Sequence, residues 1–388
     1  MTPLPRTPTP AAPRYDLVIL GAALIDGTGA PPIPDAAVAI RAGRIVAIGG
    51  ATDLSYSADT PVRNLAGATI LPGFVNAHAH TRGLTDDELR AWVRAGVTTL
   101  RDLGGPPDEV LALRDRIAAG GDPTLPRLVV AGPIVNVPGS FSTRVYGVNP
   151  GLLLVEGPDD ARAGIEALAS RGVDLIKIAV SGRTDVSWAE LSNEELAAII
   201  STATARGLRV SSHVDRASAL RRAVEQGISD AAHSPRDPIP DDLIDLMVAR
   251  GVGLVPTIAV YEGLAIERGN VVEWRRLIQP VMYDNLRRFA AAGGLLALGD
   301  DYGGAPGLTL GMPMEEIRHW AAAGLTPLQI IVAATAGGAR VLGLEAELGT
   351  LTPGRAADIL VVAGDPLADI EALARPVLVL HGGVVVRS

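Results

Sequence analysis

The chain contains no cysteine among its 388 residues. This absence excludes disulfide bonds, thiolate zinc sites and cysteine nucleophiles together. Any metal ion would therefore need histidine, carboxylate or modified-lysine ligands. An excess of positive charge is also lacking, because the formal net charge at pH 7 is −9. We therefore expect neither nucleic acid nor an anionic membrane as a partner.

Long apolar runs are missing as well. No apolar run of the sequence approaches the about 20 residues that a membrane-spanning helix needs. Residues 1–13, rich in proline, threonine and alanine, lack the apolar centre of a signal peptide, and we predict a disordered tail over residues 1–14. The chain is 48% hydrophobic and 20% charged, which is typical of a globular protein. We therefore expect a cytoplasmic protein.

Lysine is nearly absent, because Lys177 is the only lysine among 34 lysine and arginine residues. Such a chain keeps a lysine most readily where a primary amine is required, since a guanidinium cannot act as a nucleophile at neutral pH. Lys177 lies in the apolar run 173–180, which predicts a strand buried on both faces. A charge placed there must be neutralised, paired or modified. The alternative is an ordinary lysine whose ammonium group reaches solvent at the strand end.

The pattern of short apolar runs divides the chain into three regions. Residues 15–70 and 344–388 are β-rich, whereas residues 71–343 alternate apolar strands with helical stretches. The eight predicted strands of the middle region are 70–77, 98–103, 128–134, 175–180, 208–212, 230–232, 253–260 and 295–298. Eight strands, each followed by a helix, predict an α/β fold with a (β/α)8 TIM-type barrel. We expect the two β-rich ends to form one small β-sandwich domain, although two separate β appendages would give the same pattern.

Metal-ligand residue types recur where these strands end. His78 and His80 close the first strand and, being two residues apart, point to the same side of it. His213, His233 and the pair Asp300–Asp301 close the fifth, sixth and eighth strands. Barrel enzymes place their active sites at the carboxyl ends of the strands. The sequence therefore predicts a metal site on this face.

Two histidines do not fit this pattern. His319 lies in a predicted helix and His381 at a turn of the last β segment, so we expect both to be surface or helix-capping residues. The other four of the six histidines fall on one face of the predicted barrel. This coincidence is a stronger sign of a metal site than any single histidine pair.

The strand-end motifs resemble those of the metal-dependent amidohydrolase superfamily, and most closely those of imidazolonepropionase-related and prolidase-like amidohydrolases. The resemblance covers essentially the whole chain after its tail. The matching segments are LPGFVNAHAH (71–80), AGVTTLRDLGG (95–105), DLIKIAVSG (174–182), GLRVSSHV (207–214), DAAHS (230–234), LLALGDDYG (295–303) and ELGTLTPGRAADILVVAGDPL (347–367).

The resemblance implies a site for two divalent metal ions. The residues that match the ligand positions of the family are His78, His80 and Asp301 for the first ion, His213 and His233 for the second, and Lys177, as a carbamate formed with CO2, for the bridge. Asp301 is preferred to Asp300 because the strand of the family ends in a Gly-x-Asp pattern. Nitrogen and oxygen ligands favour zinc, with manganese or cobalt as alternatives.

The activity implied by the resemblance is hydrolysis of an amide bond in a small N-acyl amino acid or dipeptide-like substrate. A hydroxide bridging the two metals would attack the carbonyl, and Asp301 would accept a proton and return it to the leaving amine. A lactone or ester hydrolase on the same metal site is one alternative. A Schiff-base lyase, in which Lys177 attacks a carbonyl, is an alternative of a different class, but it leaves the strand-end histidines unexplained.

Substrate recognition is predicted to involve Arg82, which follows His80 by two residues. In the dihydroorotase branch of the superfamily an arginine at this offset holds a substrate carboxylate, which a guanidinium can bind through two hydrogen bonds. The alternative is a surface arginine paired with Asp86 or Asp87. Further candidates on loops of the same face are Arg144, Tyr146, Arg183, Tyr261 and Tyr302.

One departure from the family concerns the loop after the third strand. Many relatives carry a histidine there, whereas residues 138–146 contain none. The sequence therefore leaves open which group polarises the substrate carbonyl. As partners we expect a small-molecule substrate and other copies of the chain in a homo-oligomer.

Overall fold

A computed structural model describes residues 12–181 and 187–388 of the chain. Most of the predicted tail and the substrate-binding candidate Arg183 therefore lie outside the described residues. Within these two ranges, no helix is both long enough and apolar enough to cross a membrane. The described residues form a sheet built from both chain ends and a series of parallel strands that alternate with helices.

The strands belong to one mixed sheet and two parallel sheets. In chain order they are β1 (Leu17–Leu24), β2 (Ile33–Arg41), β3 (Arg44–Gly50), β4 (Val62–Asn64), β5 (Ala68–Pro72), β6 (Phe74–Ala79), β7 (Val97–Asp102), β8 (Arg127–Val130), β9 (Ile134–Asn136), β10 (Leu152–Leu154), β11 (Leu175–Ala179), β12 (Arg209–His213), β13 (Asp230–Ala231), β14 (Gly253–Leu254), β15 (Ile359–Ala363), β16 (Pro376–His381) and β17 (Val384–Arg387).

The two chain ends share one sheet, in the order β17-β16-β15-β5-β1-β2-β3, with β4 paired to β1. Strand β5 joins them, because it pairs antiparallel with β15 and parallel with β1. The fold thus differs from the predicted β-sandwich in that these strands form one hydrogen-bonded sheet. The inward side chains of that sheet build their own apolar cluster, which includes Ile19, Val38, Ile70 and Val361.

The parallel strands form the sheets β6-β7-β8 and β10-β9-β11-β12-β13-β14. All five residues of β11 are buried, as expected for a strand covered on both faces. Backbone hydrogen bonds also connect segments beyond these two sheets. They run from Asp174 N to Val130 O at 3.0 Å, from Leu254 N to Leu295 O at 2.9 Å, and from Ala77 N to Leu298 O at 2.8 Å.

The helices lie between the parallel strands in the sequence and after the last of them. In chain order they are α1 (Asp86–Arg94), α2 (Pro107–Gly120), α3 (Phe141–Tyr146), α4 (Pro158–Ser170), α5 (Asn193–Ala205), α6 (Ala217–Gln226), α7 (Asp241–Arg250), α8 (Ile258–Glu267), α9 (Val271–Leu277), α10 (Gln279–Ala291), α11 (Met314–Ala322), α12 (Pro327–Val332) and α13 (Gly338–Leu342). Helices α1, α5 and α12 begin with reciprocal capping boxes, whose N-cap residues are Thr85, Ser192 and Thr326.

Several predicted strands differ in the structure. The predicted eighth strand, 295–298, is not a strand, because only Leu296 pairs, in an isolated bridge with Leu254. The predicted strand 70–77 is divided into β5 and β6 at Gly73.

Two other predicted strands are shorter than expected. The predicted strand 128–134 is divided into β8 and β9 around Gly132, whose φ of 72° is incompatible with extended backbone. The predicted strand 253–260 ends with β14, and α8 begins at Ile258. Pro256 lies between them and has no N–H group for the ladder. The consequence is a tight turn directly beside the predicted metal site.

His319 is buried, with 8% of its surface exposed, and the expectation of a surface histidine is wrong. Its Nδ1 lies 2.8 Å from the Tyr283 hydroxyl on α10, and its Nε2 lies 3.1 Å from Glu262 Oε2 on α8. His381 is also buried, and its Nδ1 lies 3.0 Å from Pro123 O. Both histidines pack against segments distant in sequence, which a local pattern does not specify.

A buried ion pair lies on the amino-terminal side of the strand-end histidines. Arg101 on β7 donates two hydrogen bonds to Asp230 on β13, at 2.9 and 2.8 Å, and both side chains are at most 1% exposed. Arg101 Nε donates to Ala77 O at 2.6 Å, and the Ser211 hydroxyl donates to Asp230 at 2.7 Å. The pair therefore connects β6, β7, β12 and β13.

We expect Asp230→Ala to lower the free energy of unfolding by about 3–5 kcal/mol, because it leaves the Arg101 charge buried without its partner. Urea unfolding followed by circular dichroism measures the change. The matched control is Glu371→Ala, which removes an ion pair with Arg318 at the surface, where such pairs contribute at most about 1 kcal/mol. Equal decreases in the free energy of unfolding of the two variants would contradict this prediction, because the buried pair would then stabilise the fold no more than the surface pair.

Candidate metal centre

Strand β6 and the segment that follows Leu298 bring three donors together. His78 is on β6 and His80 follows that strand directly. Hydrogen bonds from Asp301 N to His78 O, at 2.8 Å, and from His80 N to Tyr302 O, at 2.9 Å, fix Asp301 beside them. Asp301 Oδ1 lies 3.2 Å from His78 Nε2 and 3.0 Å from His80 Nε2. One donor atom of each residue is within 4.8 Å of the other two.

A second pair of histidines adjoins these donors. His213 ends β12 and His233 follows β13. The ring centroids of His213 and His233 are 4.4 Å apart, and that of His233 is 4.8 Å from His78. The four predicted histidine ligands therefore form one continuous group, as their positions at adjacent strand ends suggested.

The Nδ1 atoms of three histidines face partners outside this group. His78 Nδ1 lies 2.9 Å from Ala232 O, and His80 Nδ1 lies 3.1 Å from Gly104 O. A carbonyl oxygen only accepts hydrogen bonds, so Nδ1 carries a proton and Nε2 is the ring nitrogen that faces inward. His233 Nδ1 lies 2.6 Å from the Thr257 hydroxyl oxygen. This is the orientation that metal-ligating histidines show.

Lys177 lies in the middle of β11, opposite Ser211 of β12. Its side chain is 2% exposed, so the ammonium group does not reach solvent. Among the residues that the structure describes, its Nζ has no hydrogen-bond partner. Burial lowers the pKa of Lys177 to about 7, with the charge of Asp301 opposing this shift. A substantial fraction of this amine is therefore neutral at neutral pH.

The environment keeps most of these imidazoles neutral. Burial lowers the pKa of His78 and that of His213 to about 3, and the charge of Lys177 contributes to both shifts. Burial also holds the pKa of His233 well below its usual value. For His80, burial acts in the same direction, but the hydrogen bond and charge of Asp301 outweigh it and raise the pKa. Neutral imidazole is the form that binds metals.

The groups around Asp301 favour its ionised carboxylate form. Burial alone would raise its pKa, but the charges and hydrogen bonds of His78 and His80 hold the pKa well below its usual value. The backbone φ of Asp301 is 59°, in the left-handed region that few non-glycine residues adopt. Such conformations cluster at functional sites.

Asp300, the neighbouring carboxylate, faces a different set of groups. Its Oδ1 accepts hydrogen bonds from Asn76 Nδ2 at 2.8 Å and from Tyr302 N at 3.2 Å. Burial raises the pKa of Asp300 to about 7. Of the two adjacent aspartates, Asp301 is thus the one that contacts His78 and His80.

These residues fit divalent cations. His213 Nε2 and Lys177 Nζ are buried atoms that lack hydrogen-bond partners within residues 12–181 and 187–388. Neutral imidazole nitrogens and carboxylate oxygens suit zinc and similar metals. Buried nitrogen donors without hydrogen-bond partners are costly unless a cation lies among them.

Only some of the predicted substrate-binding residues lie together in the structure. A cavity of about 720 Å³ opens beside His80, and its walls include Arg82, Tyr146 and Tyr302. Arg82 Nε lies 3.4 Å from Glu109 Oε2, and both side chains are more than half exposed. The predicted alternative partners of Arg82, Asp86 and Asp87, instead contact Arg116 and Arg90.

Arg144 and Tyr261 are not among the residues that line this cavity. Arg144 is exposed. The Tyr261 ring is 5.8 Å from His233, and its hydroxyl donates to Asp215 Oδ1 at 3.0 Å. Tyr261 therefore lies beside the second histidine pair.

Sequence reasoning missed Asp215 and Arg236, which lie beside Tyr261. Asp215 Oδ2 lies 3.0 Å from Arg236 Nη2, so one carboxylate holds both Arg236 and Tyr261. The two residues follow His213 and His233 by two and three positions, and their closeness to these strand ends could have indicated them. Phe141, from the loop without the expected histidine, stacks on His213 with centroids 4.8 Å apart.

The sequence profile of the amidohydrolase family matches residues 69–386, which include every described donor of the centre. The chain belongs to the amidohydrolase family. Ochratoxinase of Aspergillus niger is 28% identical to it over 417 aligned residues, which cover 94% of this chain and 84% of the relative. Imidazolonepropionase of Symbiobacterium thermophilum is 26% identical over 405 residues, covering 90% of this chain and 91% of that protein.

A solved structure extends the likeness to the fold. The crystal structure of a Xaa-Pro dipeptidase with bound methionine superposes with a TM-score of 0.84 and 23% identity, covering 96% of this chain and 100% of the other. The predicted resemblance to imidazolonepropionase-related and prolidase-like amidohydrolases is confirmed. This amidohydrolase is accordingly a hydrolytic enzyme that acts on carbon–nitrogen bonds.

Proposed function

We propose that this amidohydrolase uses two divalent metal ions to hydrolyse the amide bond of a small N-acyl amino acid or dipeptide-like substrate. The observation that carries the proposal is Lys177, a buried amine without a hydrogen-bond partner in the described part of the chain, among four histidines and an aspartate. No role in packing explains an amine there, whereas a metal bridge does.

The proposed ligands divide into two groups. His78, His80 and Asp301 hold the first ion, and His213 and His233 hold the second. Lys177 links the groups after its neutral amine adds to CO2 and loses a proton, which gives a carbamate with two oxygens. Zinc is the proposed metal, with manganese or cobalt as alternatives. When bound, the two ions activate water and polarise the scissile carbonyl.

Asp301 is the proposed proton carrier of the reaction. One of its carboxylate oxygens accepts a proton from the attacking water, and Asp301 then delivers this proton to the nitrogen of the leaving amine. Its contacts with His78 and His80 favour the ionised form that can accept this proton. Proton return to the amine restores the ionised carboxylate for the next cycle.

We also propose that the parallel strands close into the (β/α)8 barrel. The hydrogen bonds from Ala77 to Leu298 and from Leu254 to Leu295 support this closure, because they join the segment 295–298 to the first strand on one side and the seventh on the other. The cytoplasmic location, the homo-oligomer, and the absence of nucleic-acid and membrane partners stay predictions from the sequence.

Substrate contacts are proposed on both sides of the centre. Arg82, Tyr146 and Tyr302 line the cavity beside His80, and Arg144 and Arg183 stay candidates from the sequence. Tyr261, held by Asp215, is the candidate nearest the second histidine pair. The Arg236 guanidinium beside it adds a cation that suits a substrate carboxylate.

A Schiff-base lyase stays the second candidate, because a buried amine with a pKa of about 7 is also a competent nucleophile toward a carbonyl. Borohydride treatment in the presence of substrate would then trap a covalent adduct on Lys177. The amide hydrolase proposal predicts no adduct.

A hydrolysis screen tests the proposed reaction. N-acyl amino acids, dipeptides and lactones are offered to the purified enzyme with zinc or manganese present, and amine release and acid production are followed. We expect turnover of at least one class of N-acyl amino acid or dipeptide, lost on chelation. Turnover of lactones alone would instead favour the ester-hydrolase alternative.

A further inference from the structure

Thr257 has a backbone conformation that threonine rarely adopts. Its φ and ψ are 50° and 49°, in the left-handed region, and its side chain is fully buried. A branched Cβ makes this region costly, by about 1–3 kcal/mol, unless the surroundings enforce it. Thr257 lies between Pro256 and the first residue of α8, at the turn that ends the predicted seventh strand early.

The helix that follows Thr257 is held by a buried carboxylate from another helix. Glu316 on α11 is fully buried, and its Oε2 accepts a hydrogen bond from Ala259 N at 2.7 Å. Its Oε1 accepts from the indole Nε1 of Trp320 at 2.6 Å. Glu316 thus occupies the place of an N-cap side chain for α8, whereas Thr257 makes no capping hydrogen bond.

The Thr257 side chain is consequently free to face the metal centre. Its hydroxyl oxygen lies 2.6 Å from Nδ1 of His233. The Nδ1 atoms of His78 and His80 contact backbone carbonyl oxygens, which any residue at those positions would provide. Of these three histidines, His233 alone has a side chain as its Nδ1 partner.

We propose that Thr257 is a positioning residue of the second metal site, and that the turn held by Glu316 places the Thr257 hydroxyl against His233 Nδ1. The hydroxyl oxygen accepts a hydrogen bond from Nδ1–H and so fixes the ring tautomer in which the Nε2 lone pair faces the ion. This inference rests on the proposed two-metal function. It adds a determinant of metal affinity that lies in neither ligand group.

Metal titration of Thr257 variants tests the proposal. Thr257→Val keeps the shape of the side chain but lacks the hydroxyl, and we expect the second zinc ion to bind about 10–100-fold more weakly, the usual effect of losing a ligand's outer partner. The first ion should bind as in the wild type. Thr257→Ser, which restores the hydroxyl, should bind both ions with wild-type affinity.

Two further variants separate positioning from packing. Thr257→Ala removes the hydroxyl together with the branched Cβ, so it should show the same selective loss even if Thr257→Val folds poorly. The matched control is Thr335→Val, which removes another fully buried hydroxyl, one that donates to Ile331 O and contacts no proposed metal ligand through a hydrogen bond. It should leave both metal affinities unchanged.

Thermal unfolding with excess chelator shows whether the metal-free variants fold like the wild type. The proposal is overturned if the wild type binds two ions and a folded Thr257→Val or Thr257→Ala variant binds both with unchanged affinity. It is also overturned if both affinities fall equally. A wild type that binds fewer than two ions contradicts the proposed function instead.

Discussion

Lys177→Arg is expected to eliminate binding of two metal ions and to reduce turnover by about 10²-fold or more. Loss of an outer hydrogen-bond partner of a ligand already lowers metal affinity or activity by about 10–100-fold, and loss of the bridging ligand itself should lower them further. The substitution keeps the positive charge and most of the length. A guanidinium cannot condense with CO2, and it stays charged beside the cations that the site should hold. Metal content and steady-state rates of the purified variant measure both effects.

Lys177→Ala provides the matching test. It should lose the same activity, but it leaves space where the bridge was, so short carboxylic acids or bicarbonate in excess should restore part of the turnover. Lys177→Arg leaves no such space and should not respond. Wild-type activity in the arginine variant would refute the carbamate, as would density for an unmodified amine in a metal-loaded, active crystal.

Asp301→Asn is expected to fold normally and to lose turnover by about 10²–10⁴-fold, the usual contribution of a general acid–base. An amide is neutral, so it can neither accept the proton from water nor deliver one to the leaving amine. The change also weakens a ligand of the first ion, and rates should therefore be measured at metal concentrations that saturate the variant.

Asp300→Asn is the matched control for this substitution. Asp300 accepts hydrogen bonds from Asn76 and from the Tyr302 backbone, and an amide oxygen can accept both. We expect this variant to keep most of its activity. An inactive Asp300→Asn beside an active Asp301→Asn would mean that the roles of the two aspartates are reversed.

That the donor residues come together could be predicted from the sequence, because two general rules of strand geometry are enough. The spacing of His78 and His80 places both on one side of a strand, and parallel strands bring His213 and His233 to the same edge. The choice of Asp301 over Asp300 needed the family pattern. In the structure Asp301 contacts both histidines of the first group, and its choice as a metal ligand stays a prediction.

The surroundings of these donors could not be predicted, because they depend on contacts between distant segments. The turn at Thr257 and its partner Glu316 are 59 positions apart, and no local pattern of residues links them. The pairing of Arg82 with Glu109 rather than with Asp86 depends on the path of the loop between β6 and α1. The same holds for the single sheet formed by the chain ends, where β5 meets β15.

Substrate recognition was the least predictable feature. The loop after the third strand has Phe141 stacked on His213, and its Tyr146 lines the cavity, so aromatic groups occupy the region where many relatives carry a histidine. Asp215 and Arg236 add a charged pair beside Tyr261. Asp215 and Arg236 lie in loops, whereas Phe141 and Tyr146 are the end residues of the short helix α3 and Tyr261 lies in α8. Where these side chains meet the site follows from tertiary packing rather than from periodicity.

The most direct test of the two-metal account is the metal content of the wild-type enzyme. Protein purified from metal-replete medium is analysed by inductively coupled plasma mass spectrometry, and its hydrolytic activity is measured before and after chelation. We predict close to two divalent ions per chain, with activity lost on chelation and recovered when zinc or manganese is returned. An enzyme that is free of transition metal and retains full activity would contradict the account.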